Sequence, residues 1–424
     1  MSVGQRLQEI RDGFEPAFWV ANVSEIFERL AYYGAFSSLA NYLHESLKLP
    51  TDQTGTLAGL FGGAVWFLAI FGGAAADRLG FRRALSLAYL ILTCAYFLLG
   101  SLGAPWMTGI RESAPLVVLV VVLTLPALGI AMVKPSVVGT TARASSESVR
   151  SIGYSIYYTL VNIGGAAGPY AASWAHRHLG VENVFRVSAL SVLLMFFAVL
   201  IFFKEPRRSG ETQTVSIGET ARNFVTVLTN PKFMLFLIIF SGYWIVFWQQ
   251  YIILPIYIHG YIDTQADVEL ILITDAAVVI CFQFIVTYLT RRIPAFRAIT
   301  IGTLVSALGW LIVASHPAVW AVVASLMIVA LGEIIQSPRY YEYISRLAPP
   351  GQQGTYMGFA FMPIGLGSLI GGWVGGKLMN YYGEVVKKPA HVWWAITGIG
   401  VSSAVLMWLY DLVVAHREET SVSA

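Results

Sequence analysis

Apolar runs long enough to cross a bilayer recur from one end of this 424-residue chain to the other. Inside lipid each run must satisfy its own backbone polar groups, so a chain made of such runs folds as a bundle of membrane-spanning helices. Only 12% of its residues are charged and 56% are hydrophobic, whereas a soluble domain carries about 25% charged residues. The alternating pattern of an outer-membrane barrel is absent. The expected fold class is an all-α membrane protein.

Polar breaks divide the apolar sequence into twelve predicted helices. They cover 16–44, 53–76, 84–103, 114–142, 150–177 and 184–203, then 232–258, 267–290, 297–315, 318–346, 353–382 and 390–415. The longest polar stretch, 204–231, is too polar for another span, although NFVTVL within it could form a short interfacial helix. The expected organisation is an N-terminal six-helix bundle (1–203), a cytoplasmic linker (204–231) and a C-terminal six-helix bundle (232–424). Two basic turns, ADRLGFRRA (76–84) and TRRIPAFRA (290–298), fall at the same place in each half, as in a repeated six-helix unit.

Basic residues set the orientation. With the N-terminus inside, cytoplasmic loops hold Arg78, Arg82, Arg83, Arg143, Arg150, Lys204, Arg207, Arg208, Arg222, Arg291, Arg292 and Arg297. The other side has only Lys48, Arg111, Arg177, Lys387 and Lys388. Both termini are expected in the cytoplasm of a multi-pass plasma (inner) membrane protein. The N-terminal segment is charged (Arg6, Glu9, Arg11, Asp12, Glu15) and lacks a cleavable apolar leader, so the first helix is expected to be its own insertion signal. Cys94 and Cys281 lie in apolar segments and read as inert core residues. No phosphate loop, metalloprotease motif or nucleophile elbow occurs in a credible context, so an enzyme is not expected.

The chain keeps ionisable residues where lipid makes them costly. Glu25, Glu28, Arg29 and Tyr32 stand at i, i+3, i+4 and i+7 of the first helix, one stripe facing one direction. That stripe lines a polar cavity or bolts the helix to a neighbour. Lys134, beside Pro135 in the fourth helix, lies roughly 12 Å from its cytoplasmic end, and the two glutamates roughly 14–18 Å from theirs, at 1.5 Å per residue. Lys134 can therefore reach the glutamates, and protonating its partner would free it. Glu333, in the tenth helix of the other half, suits the amino group of a zwitterionic solute or a hydrogen bond within the bundle. Asp275, in the eighth helix, reads as a second protonation site or a packing residue. Arg339 and Glu342 read as a gate or a structural pair. Tyr32, Tyr33, Trp66, Tyr157, Tyr158, Trp244 and Trp248 could line a pocket, and His259 reads as interfacial.

These residues carry a resemblance. EIFERLAYYG (25–34) resembles the ExxER signature of the proton-dependent oligopeptide transporter (POT/PTR) family of the major facilitator superfamily. GGAAADRLGFRR (72–83) resembles the superfamily's loop motif. LGIAMVKPS (128–136), SIYYTLVNIGG (155–165) and GEIIQSPRYYEYISRLAP (332–349) resemble family signatures in the fourth, fifth and tenth helices. The resemblance implies a major facilitator fold of two six-helix bundles. It implies a proton-coupling cluster of Glu25, Glu28, Arg29 and Lys134, and a peptide site lined by Tyr32, Tyr33, Asn162, Trp244, Glu333 and Ser337. Glu333 would take the amino group, and Arg29 or Lys134 the carboxylate.

The chain departs from the family pattern at Phe36, where a basic residue is common, and at Trp66, where tyrosine is usual. Trp248 stands in place of a coupling glutamate, and Asp275 in place of an asparagine. Gly164, Gly168 and Pro169 form GxxxGP, resembling drug–proton antiporters, though the spacing also suits close packing and a kink. The expected activity is symport of small peptides or peptide-like solutes by alternating access, driven by the proton gradient without metal, nucleotide or other cofactor. The alternative is a proton-coupled carrier of a drug or metabolite, working as an exporter or an importer. Expected partners are a small solute or di- or tripeptide, protons and the lipid bilayer, with no nucleic acid, and the chain is expected to act as a monomer.

Overall fold

The computed structural model describes residues 13–206, 225–349 and 353–415, and for 70–77, 151, 353–354 and 414–415 the backbone alone. The charged residues Arg6, Glu9, Arg11 and Asp12, most of the predicted linker with Arg207, Arg208 and Arg222, and the Asp77 side chain lie outside what is described. Of the predicted interfacial helix, residues 225–228 form a single helical turn.

The described elements are helices. Nine are long and apolar enough to cross a membrane. Three more, Pro16–Asn41, Thr51–Leu79 and Arg150–Leu179, are 26, 29 and 30 residues long. Any 18-residue stretch of the first contains Glu25, Glu28 and Arg29 together, so length rather than apolarity admits it as a span. The boundaries lie close to the expected ones, with one addition: Pro105–Ser113, a short helix in the loop after the third predicted span.

Local sequence explains where the helices start and stop. Gly80 (φ +77°) and Gly180 (φ +95°) each stand alone between two helices in the left-handed region, a conformation that costs glycine little. Asn230 accepts a hydrogen bond from the Phe233 amide at 3.1 Å and Asp267 from the Leu270 amide at 3.0 Å, so each caps the helix that follows. Two predicted spans are broken. The seventh runs as Pro231–Phe247, Gln249–Ile252 and Leu254–Tyr261, and the eleventh as Gln353–Phe359 and Met362–Met379. Pro255 and Pro363 follow the breaks and supply no amide donor. Trp248 Nε1 donates to the Ile364 carbonyl at 3.0 Å, tying one break to the other.

Of the described residues, 13–38 and 64–206 form one compact unit, and those of 39–63 and 225–415 form another. Residues 39–63 thus pack with the C-terminal helices. Their helix meets the Met362–Met379 helix through glycines: a Cβ on Gly55 would lie 2.7 Å from the Gly372 carbonyl oxygen, and one on Gly59 would lie 2.8 Å from the Gly372 Cα. Lys377 Nζ donates to Asp52 Oδ2 at 2.6 Å, and Thr51 donates to Glu384.

Cys94 and Cys281 are exposed rather than core residues. On a helix that crosses a bilayer the outward face meets lipid, so an apolar surrounding in sequence does not imply a buried side chain.

Candidate functional site

In the N-terminal unit, Glu25, Glu28 and Arg29 are almost fully buried, at 1%, 0% and 4% exposure. Their helix is held at this point by the Arg150–Leu179 helix. A Cβ added to Gly164 would lie 2.8 Å from Arg29 Cβ, and one on Gly168 would lie 2.7 Å from the Leu30 carbonyl oxygen. The GxxxGP element therefore packs against the charged stripe, and any larger residue would push the arginine helix away.

Arg29 Nε lies 2.5 Å from Glu28 Oε2 and 3.6 Å from Glu25 Oε1. The expected i, i+4 pair exists, but the shorter contact is to the adjacent residue, which the long guanidinium side chain reaches by folding back. One oxygen of each glutamate and Arg29 Nη2 remain buried without a hydrogen bond to a described residue. Such atoms are costly in a static core and suit a site whose partners change. Lys134 interacts electrostatically with Glu25, Glu28 and Arg29, and its Nζ sits 4.8 Å from the centre of the Trp66 ring. The structure thus gathers two acids and two bases from two helices. Trp66 supplies a π-face for the lysine, a contact that tyrosine also makes but less strongly.

Tyr32 is fully buried, with the Arg29 guanidinium 5.1 Å from its ring centre. Tyr33 meets Tyr32 edge-on at 5.1 Å, and Phe36 packs against Tyr32 at 5.8 Å. Asn162 is half-buried and donates to the Tyr158 carbonyl of its own helix at 2.8 Å. Tyr158 itself is 50% exposed. Sequence reasoning passed over Tyr89 and Tyr96, both fully buried and both interacting electrostatically with Glu28 and Arg29. Their i, i+7 spacing on one helix face was the available signal.

The C-terminal unit holds a second polar cluster. Asp275 is 7% exposed and interacts electrostatically with Glu333. The helices that carry them pack through Val278, Ala330 and Ile334, each one turn or less from an acid. Asp275 Oδ1 and Glu333 Oε2 are buried with no hydrogen bond to a described residue. Tyr243 interacts electrostatically with both acids. Trp244 is buried, meets Tyr243 edge-on at 5.1 Å, and has an indole N–H without a described partner. Ser337 accepts from Gln336 Nε2 at 2.8 Å. Trp248, 3% exposed, is engaged in packing. Arg339 bonds Glu342 at 2.7 Å and the Thr290 carbonyl at 3.3 Å, and Arg346 also binds Glu342. These contacts tie two helices together at their ends, the structural half of the two roles open for that pair.

Among the described residues no group of three or more His, Cys, Asp or Glu side chains could hold a metal ion. Chemically, the N-terminal cluster can trade a proton against an ion pair, and the C-terminal acids can accept a proton or an organic cation.

The family model of the Major Facilitator Superfamily matches residues 22–265 and 251–424. The chain is 26% identical over 372 residues to the multidrug resistance protein MdtH of Aeromonas hydrophila, covering 84% of this chain and 87% of that protein. Its fold is similar to a solved POT family transporter in complex with a thioalcohol-conjugated peptide, with TM-score 0.78, 16% identity and coverage of 93% and 96%. It is also similar in fold to a solved structure of the nucleoside transporter NupG, with TM-score 0.76, 14% identity and coverage of 93% and 99%.

Proposed function

The chain belongs to the Major Facilitator Superfamily, and on that premise we propose that it is a proton-coupled symporter of small peptides or peptide-like solutes in the POT family manner. That it is a multi-pass membrane transporter follows from the superfamily and the apolar helices. The observation that carries the finer reading is the buried cluster of Glu25, Glu28, Arg29 and Lys134, four ionisable side chains that one proton can repartition.

A proton on Glu25 or Glu28 weakens its hold on Arg29 and Lys134, and a freed cation then takes a solute carboxylate. Asp275 and Glu333 offer the C-terminal unit's place for an amino group or a second proton. The proton gradient is the driving force, with no cofactor. The protein works as a monomer in the inner membrane with both termini cytoplasmic. Support comes from the collinear motifs and from the fold shared with a POT transporter whose structure holds a peptide conjugate.

A second reading is a proton-coupled carrier of a drug or metabolite. The relative called a multidrug resistance protein favours it, as do the aromatic residues Phe36, Trp66 and Trp248. Proteoliposomes decide between them. Dipeptide uptake driven by an inward proton gradient and competed by tripeptides supports the first reading. No dipeptide uptake, with proton-dependent flux of hydrophobic cations, supports the second.

A further inference from the structure

The basic loop after the second long helix is used by neither cluster, and beside it lies a cavity of about 680 Å³. Arg78, Arg82 and Arg83 line it together with Ser86, Leu200 and Glu205. Three guanidinium groups face one carboxylate, and that carboxylate is engaged elsewhere. Glu205 accepts from the Phe81 amide at 2.8 Å and from the Arg82 amide at 2.9 Å. It therefore caps the N-terminus of the Phe81–Leu99 helix, and among the described lining residues the three guanidinium groups outnumber this one carboxylate, a surplus of positive charge.

Arg82 Nη2 donates to the Leu200 carbonyl at 2.6 Å, fixing that guanidinium at the wall with further N–H groups to spare. Arg78 and Arg83 are exposed and have no ion pair to a described residue. Ser86 Oγ is buried without a hydrogen-bond partner among the described residues. The site thus offers several donors and a surplus of positive charge, which match a phosphate group.

The surroundings narrow the source of that phosphate. The cavity sits at the ends of two packed helices, Phe81–Leu99 and Val181–Phe202, each long and apolar enough to cross a bilayer. Along the outside of this pair run Leu87, Leu90, Leu194, Phe197 and Ile201, all exposed. An apolar seam leads from the bilayer interior to a basic cavity at headgroup level. We propose that the cavity binds the phosphate of an anionic phospholipid, with the acyl chains lying along that seam.

The test uses the full chain in a neutral detergent, with thermal unfolding and native mass spectrometry as readouts. The probes are dioctanoyl phosphatidylglycerol, dioctanoyl phosphatidylcholine and inorganic phosphate. The expected result is stabilisation and a retained adduct with phosphatidylglycerol alone. The double variant Arg78→Gln/Arg83→Gln should bind it at least about fivefold more weakly, given the contribution of each basic residue near an anionic surface. Arg83→Gln alone, or Ser86→Ala, serves if the double variant does not fold, and each should weaken the adduct. Equal effects of the two lipids would overturn the proposal, as would unchanged binding in the variants. Stabilisation by inorganic phosphate that phosphatidylglycerol does not exceed would assign the site to a free anion and overturn the lipid.

Discussion

The Nδ1 nitrogen of His259 lies 2.7 Å from Oε1 of Glu45, and its Nε2 lies 3.0 Å from the Ala266 carbonyl oxygen. Both ring nitrogens face acceptors, so the full set of hydrogen bonds requires the doubly protonated imidazolium. The pair joins residues 39–63 to the helices they pack with, alongside Asp52–Lys377.

His259 stands beyond the apolar span Pro231–Ile252, in the short helix Leu254–Tyr261. Burial pulls its proton affinity down. The Glu45 hydrogen bond, the Ala266 carbonyl and the charges of Glu45 and Glu269 outweigh that, and the net shift is upward. A raised value means the contact is complete below the ordinary histidine value of about 6.5 and fades as pH climbs past its own higher value. Comparing wild type with His259→Gln by thermal unfolding should show a gap in stability at pH 5.5 that narrows toward pH 9. A gap that widens with pH would contradict the imidazolium.

The Gly59→Ala change tests the close helix approach in the same unit. The added Cβ would meet the Ser368 carbonyl oxygen at 2.5 Å and the Gly372 Cα at 2.8 Å. Both are backbone atoms that cannot swing aside, so the helices must part, at a cost of about 1–3 kcal/mol typical of overpacking. Gly109→Ala, where nothing lies within 4 Å of the new atom, should change unfolding temperature far less. Equal shifts in the two variants would count against this contact.

Much of this arrangement could be read from residue order alone, and some could not. Long apolar runs marked the spans because bilayer thickness leaves one solution for the backbone. The stripe of Glu25, Glu28, Arg29 and Tyr32 was visible because helical spacing puts those positions on one face. Pairing was not visible: His259 reads as interfacial until Glu45 is brought beside it by a chain separation of 214 residues. Likewise, Asp275 reads as a second protonation site or a packing residue, and only the packing of Val278 with Ala330 sets it near Glu333. The close approach of Gly55 and Gly59 to Gly372 is also a pairing that residue order does not name.

The Asp275→Asn change separates the two acids of the C-terminal cluster. With one carboxylate gone, Glu333 no longer faces a like charge, so it can ionise alone and still take an amino group. Transport of a solute with a free amine should survive with an altered pH optimum. Glu333→Gln should depress the same transport by at least about tenfold, the factor that corresponds to about 1.4 kcal/mol of lost interaction. Uptake measured across pH 5 to 8 in proteoliposomes distinguishes the two effects.

Lys134→Ala addresses the N-terminal cluster. Removing the lysine leaves Glu25 and Glu28 with Arg29 alone, two acids against one base. Protonation no longer frees Lys134, so solute movement and proton movement come apart. Gradient-driven accumulation should fall to the level of empty liposomes, while exchange of labelled for unlabelled solute at equal pH on both sides persists in part. Glu28→Gln should show the same separation, since it removes the carboxylate nearest Arg29 at 2.5 Å. Accumulation at wild-type rates in both variants would show that coupling resides elsewhere, with Asp275 and Glu333 the next groups to test.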